Sequence, residues 1–264
     1  MAELSLPPLA LYIHVPWCEK KCPYCDFNSH VTSHIDEPAY LACLIRDAKN
    51  QLDFVQQRSI QSIFIGGGTP SLMSAGFYQS LLSQLSQLVN FASDIEITLE
   101  ANPSSSEQQK FAGFKAAGIN RLSIGVQSFN ERFLHTLGRI HTPGDARHAF
   151  ATARRAGFDN INLDLMYGLP GQTPEQARDD LEQGIALQPE HLSWYELTLE
   201  PNTAFYSQPP ALPGEEPILA IEAEGHALLG NAAYERYEIS AYAQAQRRSQ
   251  HNLNYWEFGD YLAL

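Results

Sequence analysis

The stretch Tyr12-Ile-His-Val-Pro-Trp-Cys18-Glu-Lys-Lys-Cys22-Pro-Tyr-Cys25-Asp-Phe27 holds three of the chain's four cysteines within eight residues, spaced C-x3-C-x2-C. It continues an apolar run, Leu9 to Val15, that reads as a strand. Three thiolates delivered by one loop make a metal site or a redox site, and three readings compete. A dithiol redox motif would use Cys22-Pro-Tyr-Cys25 alone, with a helix N-terminus lowering one thiol pKa, and leaves Cys18 unexplained. A structural zinc wants a fourth ligand, His14 or His30, and favours paired C-x2-C knuckles, of which there is one. An iron–sulfur cluster takes four thiolates, so three leave one iron open, and an open metal position can bind substrate.

Working outward, 264 residues suffice for one large domain or one domain with a fragment of another. Hydrophobic residues at 44% and aromatics at 11% allow a sizeable core. The net charge of −13 opposes binding to phosphate backbones, so nucleic acid is not expected as a partner. No apolar run reaches bilayer-crossing length, and the first residues have neither a basic segment nor an apolar one with a cleavage site. Clustered cysteines fit a reducing compartment. The expectation is a cytoplasmic protein without a transmembrane segment, with peripheral membrane contact left open. Cys43, alone on a helical stretch from Pro38 to Val55, reads as a small buried hydrophobe.

Strand and helix patterns then alternate. Tyr40, Leu41, Leu44, Ala48, Leu52 and Val55 recur at helical spacing, and Ser62-Ile-Phe-Ile65 is an apolar strand ending in Gly66-Gly-Gly-Thr-Pro70. Phe77 to Leu88 is helical, and Ile95 to Leu99 is a strand running into Glu100-Ala-Asn-Pro103. A helix from Glu107 closes at the glycine cap Gly118, before the strand Arg121 to Gly125. Helices over Asn130 to Leu137 and Pro143 to Ala156 lead to the strand Ile161 to Met166, and a helix over Pro174 to Leu187 leads to the strand His191 to Leu199. Such alternation implies a parallel sheet with right-handed crossovers. Six units are fewer than a complete eight-stranded barrel. A partial, open (β/α)6 barrel over residues 1–200 fits. Pro201 to Pro217 carries five prolines and reads as a linker. A helix from Ile218 to Leu229, a strand near Tyr237 to Ala241 and the stretch His251 to Trp256 then form the start of a C-terminal α+β extension over 201–264.

Ligands of parallel α/β folds sit at the C-terminal ends of the strands, and here those ends carry Gly66-Gly-Gly-Thr69, Glu100, Gln127 and Asp164. Consecutive glycines let a ligand approach the main chain, although a tight turn reads the same. Asn162 and Asp164 alternate with Ile161, Leu163 and Leu165, so period two puts the aliphatics on the helices and Asp164 in the barrel lumen. An unpaired buried carboxylate is costly. A ribose hydroxyl would satisfy it, and so would pairing with Arg121 or Arg139.

The cysteine spacing, with Tyr24 before the last cysteine, resembles the radical S-adenosylmethionine (SAM) superfamily. Tyr-Ile-His-x-Pro-Trp-Cys, Gly-Gly-Gly-Thr-Pro-Ser71, Glu100-Ala-Asn-Pro, Gly125-Val-Gln-Ser-Phe129, Leu137-Gly-Arg139 and Asp164-Leu-Met-x-Gly-Leu-Pro170 narrow this to the branch containing oxygen-independent coproporphyrinogen III oxidase. That oxidase has a further cysteine two residues after the third, where this chain has Phe27. His251-Asn-Leu-Asn-Tyr255-Trp256 matches the HNxxYW motif associated with heme binding, so the chain resembles the HemW heme chaperones more closely. The resemblance implies that Cys18, Cys22 and Cys25 hold a [4Fe-4S] cluster whose fourth iron chelates SAM. Tyr12, Tyr24, Gly68, Thr69, Pro70, Glu100, Gln127, Arg139 and Asp164 would line the SAM site. His251, Tyr255 and Trp256 would meet heme, which would pass to an unidentified acceptor protein. The alternative it carries is an enzyme that cleaves SAM by one electron and oxidatively decarboxylates coproporphyrinogen propionates. Phe27 and the HNxxYW match tilt against that, and no catalytic residue is assigned. HemW relatives continue through a glycine-rich segment into a small C-terminal domain, so the resemblance also implies an incomplete C-terminal region.

Overall fold

Aliphatic residues at every second position of the strands bury themselves under helices and turn the intervening residues inward. The computed structural model describes residues 5–104 and 108–264. In it β1 (Leu9–Val15), β2 (Ile60–Gly67), β3 (Phe91–Ala101), β4 (Arg121–Gln127), β5 (Ile161–Tyr167) and β6 (His191–Glu196) run parallel in sequence order, each beside the next. Leu9, Leu11 and Ile13 of β1, Ile63 and Ile65 of β2, Leu99 of β3, Leu122 and Ile124 of β4, Ile161, Leu163 and Leu165 of β5, and Leu192 of β6 share one core with the helices outside. The six parallel strands form the open barrel expected.

The covering helices are α1 (Glu37–Asn50), α2 (Ala75–Leu88), α3 (Phe111–Ala116), α4 (Pro143–Arg155), α5 (Pro174–Ala186) and α6 (Glu215–Asn231). Thr142 and Thr173 start α4 and α5 with reciprocal capping boxes, each followed by a proline at the first turn, where its missing N–H costs nothing. The helix expected from Pro38 to Val55 breaks at Gln51 and resumes as one turn, Leu52–Val55. The start of the helix expected from Glu107 lies outside the described residues. The last barrel strand stops at Glu196, three residues before its expected end. Cys43 is exposed rather than buried, because it lies off the inner stripe of Leu44, Ile45 and Ala48, and Arg46 Nη2 reaches its sulfur at 3.4 Å.

The residues beyond 200 add to both edges of the same sheet. β7 (Glu235–Arg236) and β8 (Ala241–Ala243) form an antiparallel hairpin, and β8 pairs antiparallel with β6, Ala241 opposite Ser193. The chain then crosses by way of α7 (Gln250–Trp256) to β9 (Asp260–Ala263), which runs parallel to the free edge of β1 from Leu9↔Asp260 to Tyr12↔Ala263. Gln51 Nε2, beyond the end of α1, donates to Ala263 O at 2.9 Å and ties the added strand down.

Candidate functional site

Backbone hydrogen bonds knit the cysteine loop to the glycine loop. Trp17–Cys18 pairs with His30–Val31, and the chain between them carries Cys22 and Cys25. Gly68 N–H donates to Val15 O and Thr69 N–H to Trp17 O, both at 2.7 Å. Gly67 has φ +109°, and a Cβ there would lie 2.6 Å from the His14 ring, while a Cβ on Gly68 would strike the Trp17 carbonyl. No other residue fits this close approach without displacing the loop of the first cysteine.

A cavity of about 420 Å³ opens at the C-terminal ends of the strands, within the range of small-molecule sites. Cys18, Cys22 and Cys25 line one part of it, with Tyr24, Arg139, Gly68, Thr69 and Pro70, and Glu100, Gln127 and Asp164 line the rest. A register shift between Gly125 and Gln127 gives Gln127 φ +67°, and such a bulge re-aims a side chain. The Gln127 side chain accepts from Tyr195 Oη at 2.7 Å.

The cavity is electrically divided. Glu100 is partly buried in the cavity wall, and burial first, then the charge of Asp164, push its carboxyl up to about 8, against the Gly67 N–H that donates to it at 3.2 Å. Burial also raises Asp164, opposed by hydrogen bonds from Asn162 and Ser123 and by the charge of Arg121. Among the described residues neither carboxylate forms an ion pair, so neither Arg121 nor Arg139 neutralises Asp164 at close range. On the cysteine side, burial works against the Arg139 charge, but Tyr24 and Cys22 beside it outweigh burial and hold it on. Arg139 Nη1 lies 3.7 Å from Cys22 Sγ, and Nη2 donates to Asn102 Oδ1 at 2.6 Å and Gly125 O at 2.7 Å.

These donors suit a polynuclear cluster and a cationic ligand. Among the described residues no three His, Cys, Asp or Glu side chains converge on a point for a single ion. A cluster instead offers a separate iron to each thiolate, and three unpaired thiols share the cavity wall. The two partly buried carboxylates without an ion pair ask for positive charge.

Four predicted residues lie outside this lining. Tyr12 Oη is hydrogen-bonded to His14 Nδ1 (2.9 Å), and its ring stacks on Phe64. His251 is 3% exposed, with Nδ1 3.1 Å from Ser62 Oγ, Nε2 3.1 Å from Tyr255 Oη and its ring stacked on Phe64. Burial, then the charge of Arg121, lower it to about 4, so its imidazole is neutral. Tyr255 and Trp256 are exposed, next to exposed Phe258 and Tyr261. The lining also includes Asn102, Ser123 and Tyr195, which sequence reading passes over. Alternation on β6 carries a signal for Tyr195, since Leu192 and Trp194 face the core.

The model of the radical SAM superfamily matches residues 12–183. The heme chaperone HemW of Haemophilus influenzae is 53% identical over 98% of this chain and 69% of its own length, and that of Escherichia coli 51% identical over 99% and 69%. HemW of Bacillus subtilis is 38% identical over 96% and 68%. Among solved structures, Escherichia coli coproporphyrinogen III oxidase (HemN), a radical SAM enzyme, superposes with a TM-score of 0.85 at 28% identity, covering 100% of this chain and 64% of that one.

Proposed function

The chain belongs to the HemW family of the radical SAM superfamily, and from that premise we propose that it is a heme chaperone which binds a [4Fe-4S] cluster, SAM and heme and delivers heme to an acceptor protein. Cys18, Cys22 and Cys25 would hold the cluster, which when bound supplies an electron donor and an open iron that can chelate SAM. The chain's own residues do the rest. Glu100 and Asp164 offer negative charge to the cationic part of the ligand, Gly68 lets the glycine loop seat against the loop of the first cysteine, and Arg139 keeps positive charge beside the thiolates. The observation that carries the reading is this one cavity, in which three free cysteines share the wall with two carboxylates that form no ion pair among the described residues.

Heme is the cargo. Exposed Tyr255, Trp256, Phe258 and Tyr261 offer aromatic surface to an apolar macrocycle. His251 lies behind Tyr255, so an iron ligand at its Nε2 requires the Tyr255 hydroxyl to give way. A cytoplasmic setting, where thiols stay reduced, suits the free cysteines. Among the described residues no helix is long and apolar enough to cross a membrane.

The test is an anaerobic hemin titration of cluster-loaded protein, followed in the Soret band for wild type, His251→Ala and Trp256→Ala. Saturable binding that weakens in both variants supports the heme placement, and unchanged affinity in both sinks it. Phe27, 56% exposed at the cavity rim, offers no thiol where the related oxidase has a cysteine. Anaerobic turnover of coproporphyrinogen would therefore overturn the chaperone reading in favour of the enzyme.

A further inference from the structure

A line of hydrogen-bonded side chains, buried at Asn162 and His191, runs from the cavity carboxylate Asp164 to the start of α7. Asn162 Nδ2 donates to Asp164 Oδ1 at 2.7 Å and to Ser123 Oγ at 2.8 Å. With its NH2 committed to those acceptors, the amide turns its oxygen to His191 Nδ1 (2.6 Å) and Ser193 Oγ (3.1 Å). An oxygen can only accept, so His191 carries its proton on Nδ1. His191 Nε2 then accepts from Tyr237 Oη at 2.7 Å, and that oxygen accepts the Ser249 N–H, at the N-cap of α7, at 3.2 Å. Burial and then the charge of Arg121 push His191 well below its ordinary pKa, consistent with this neutral tautomer. Every donor in the line points toward Asp164.

We propose that Asn162, His191 and Tyr237 are positioning residues that couple Asp164 in the cavity to the N-terminus of α7, so that ligand held at Asp164 and the seating of the helix bearing His251 bias one another. This rests on the reading of the cavity as the SAM site. The coupling follows from the single allowed polarity. If the Tyr237 hydroxyl is lost, His191 Nε2 is left an acceptor without a donor and the Ser249 N–H at the start of α7 loses its acceptor, so the line is broken at both ends of that hydroxyl. A buried network with one member unsatisfied is costly, and a ligand at either end changes that cost. By linkage the effect is equal in both directions.

The experiment uses cluster-loaded, oxidised protein, with SAM affinity from equilibrium dialysis and hydrogen exchange of residues 249–263 with and without SAM. In the wild type SAM slows exchange across 249–263. Tyr237→Phe lowers SAM affinity roughly fivefold or more and abolishes that protection at unchanged iron content. Tyr242→Phe is the control: it removes a buried hydroxyl from a different histidine, His226 (2.8 Å), off the line, and leaves both readouts at wild-type values. SAM binding without any change over 249–263, or equal losses in the two variants, overturns the coupling while leaving the cavity reading intact. Absence of SAM binding in the wild type overturns the cavity reading and the coupling with it.

Discussion

If the cavity holds SAM as proposed, Glu100 should make its binding proton-linked. The Glu100 carboxyl, partly buried in the cavity wall, is lifted from 4.5 to about 8 by burial and the Asp164 charge, so at pH 7 only about one ligand-free site in eleven carries the charge. A ligand bearing a sulfonium needs the ionised form, and the affinity seen is the intrinsic one reduced by that fraction. Binding should therefore be about tenfold weaker at pH 7 than at pH 9, or about 1.4 kcal/mol. The folding linkage has the opposite sign. A carboxyl raised in the folded state stabilises the fold fully below about 4.5, and this stabilisation is lost as pH rises through about 8. The SAM-free protein should thus lose stability over that window, and saturating SAM should restore it. Isothermal titration of SAM into cluster-loaded protein from pH 6 to 9, in buffers of different ionisation enthalpy, reads affinity and proton release together. The ligand's own α-amino group titrates near 8 as well, so the diagnostic is the difference between wild type and Glu100→Gln. A Glu100→Gln variant with the same pH slope and the same proton release would refute the reasoning.

Three further outcomes follow from the cavity wall. Arg139→Gln removes the positive charge 3.7 Å from Cys22 Sγ; since nearby positive charge favours the reduced cluster, the midpoint in an EPR-monitored redox titration should become more negative, and an unmoved midpoint would deny Arg139 this role. Gly68→Ala drives a methyl into the Trp17 carbonyl and should cost about 1–3 kcal/mol in denaturant unfolding, with reduced iron content after reconstitution. Cys43→Ser should leave iron content and the visible spectrum unchanged, because Cys43 is exposed on α1, outside the cavity; lost iron would place a fourth thiol in the site.

The alternation of six strands and helices was legible because each strand is long enough to show its period and each helix has a stripe or a cap. Gly66 to Gly68, Glu100 and Asp164 were legible for a related reason: polar or glycine residues directly after an aliphatic strand have no place in a core. Residues 235–263 were not. β7 and β8 span two and three residues, too short for a period to register, and β9 pairs with β1 from the opposite end of the chain, a partnership no local pattern encodes. His251 shows the limit of a motif. The motif match implied a heme-facing imidazole, whereas Ser62 and Phe64 on β2 and Glu96 on β3 hold it inside the barrel with Nε2 behind Tyr255. The line from Asn162 through His191 to Tyr237 joins three separate elements and was equally invisible.

The division of charge bears on how the cavity discriminates. Arg139 lies against the cysteine loop, whereas Glu100 and Asp164 lie at the strand ends, partly buried and without an ion pair among the described residues. The Asp164 charge adds to the cost of ionising Glu100, and a neutral ligand would leave that cost in place. A sulfonium relieves it. The uncharged thioether S-adenosylhomocysteine has nearly the same shape and the same amino-acid head group, so a cavity selecting by shape alone would bind both alike. Selection by charge predicts that SAM binds more tightly, that the preference grows from pH 6 to 9 as Glu100 ionises, and that it shrinks in Glu100→Gln. Competition dialysis on cluster-loaded protein measures the ratio, and a ratio independent of both pH and Glu100 would mean that the carboxylates do not read the ligand's charge.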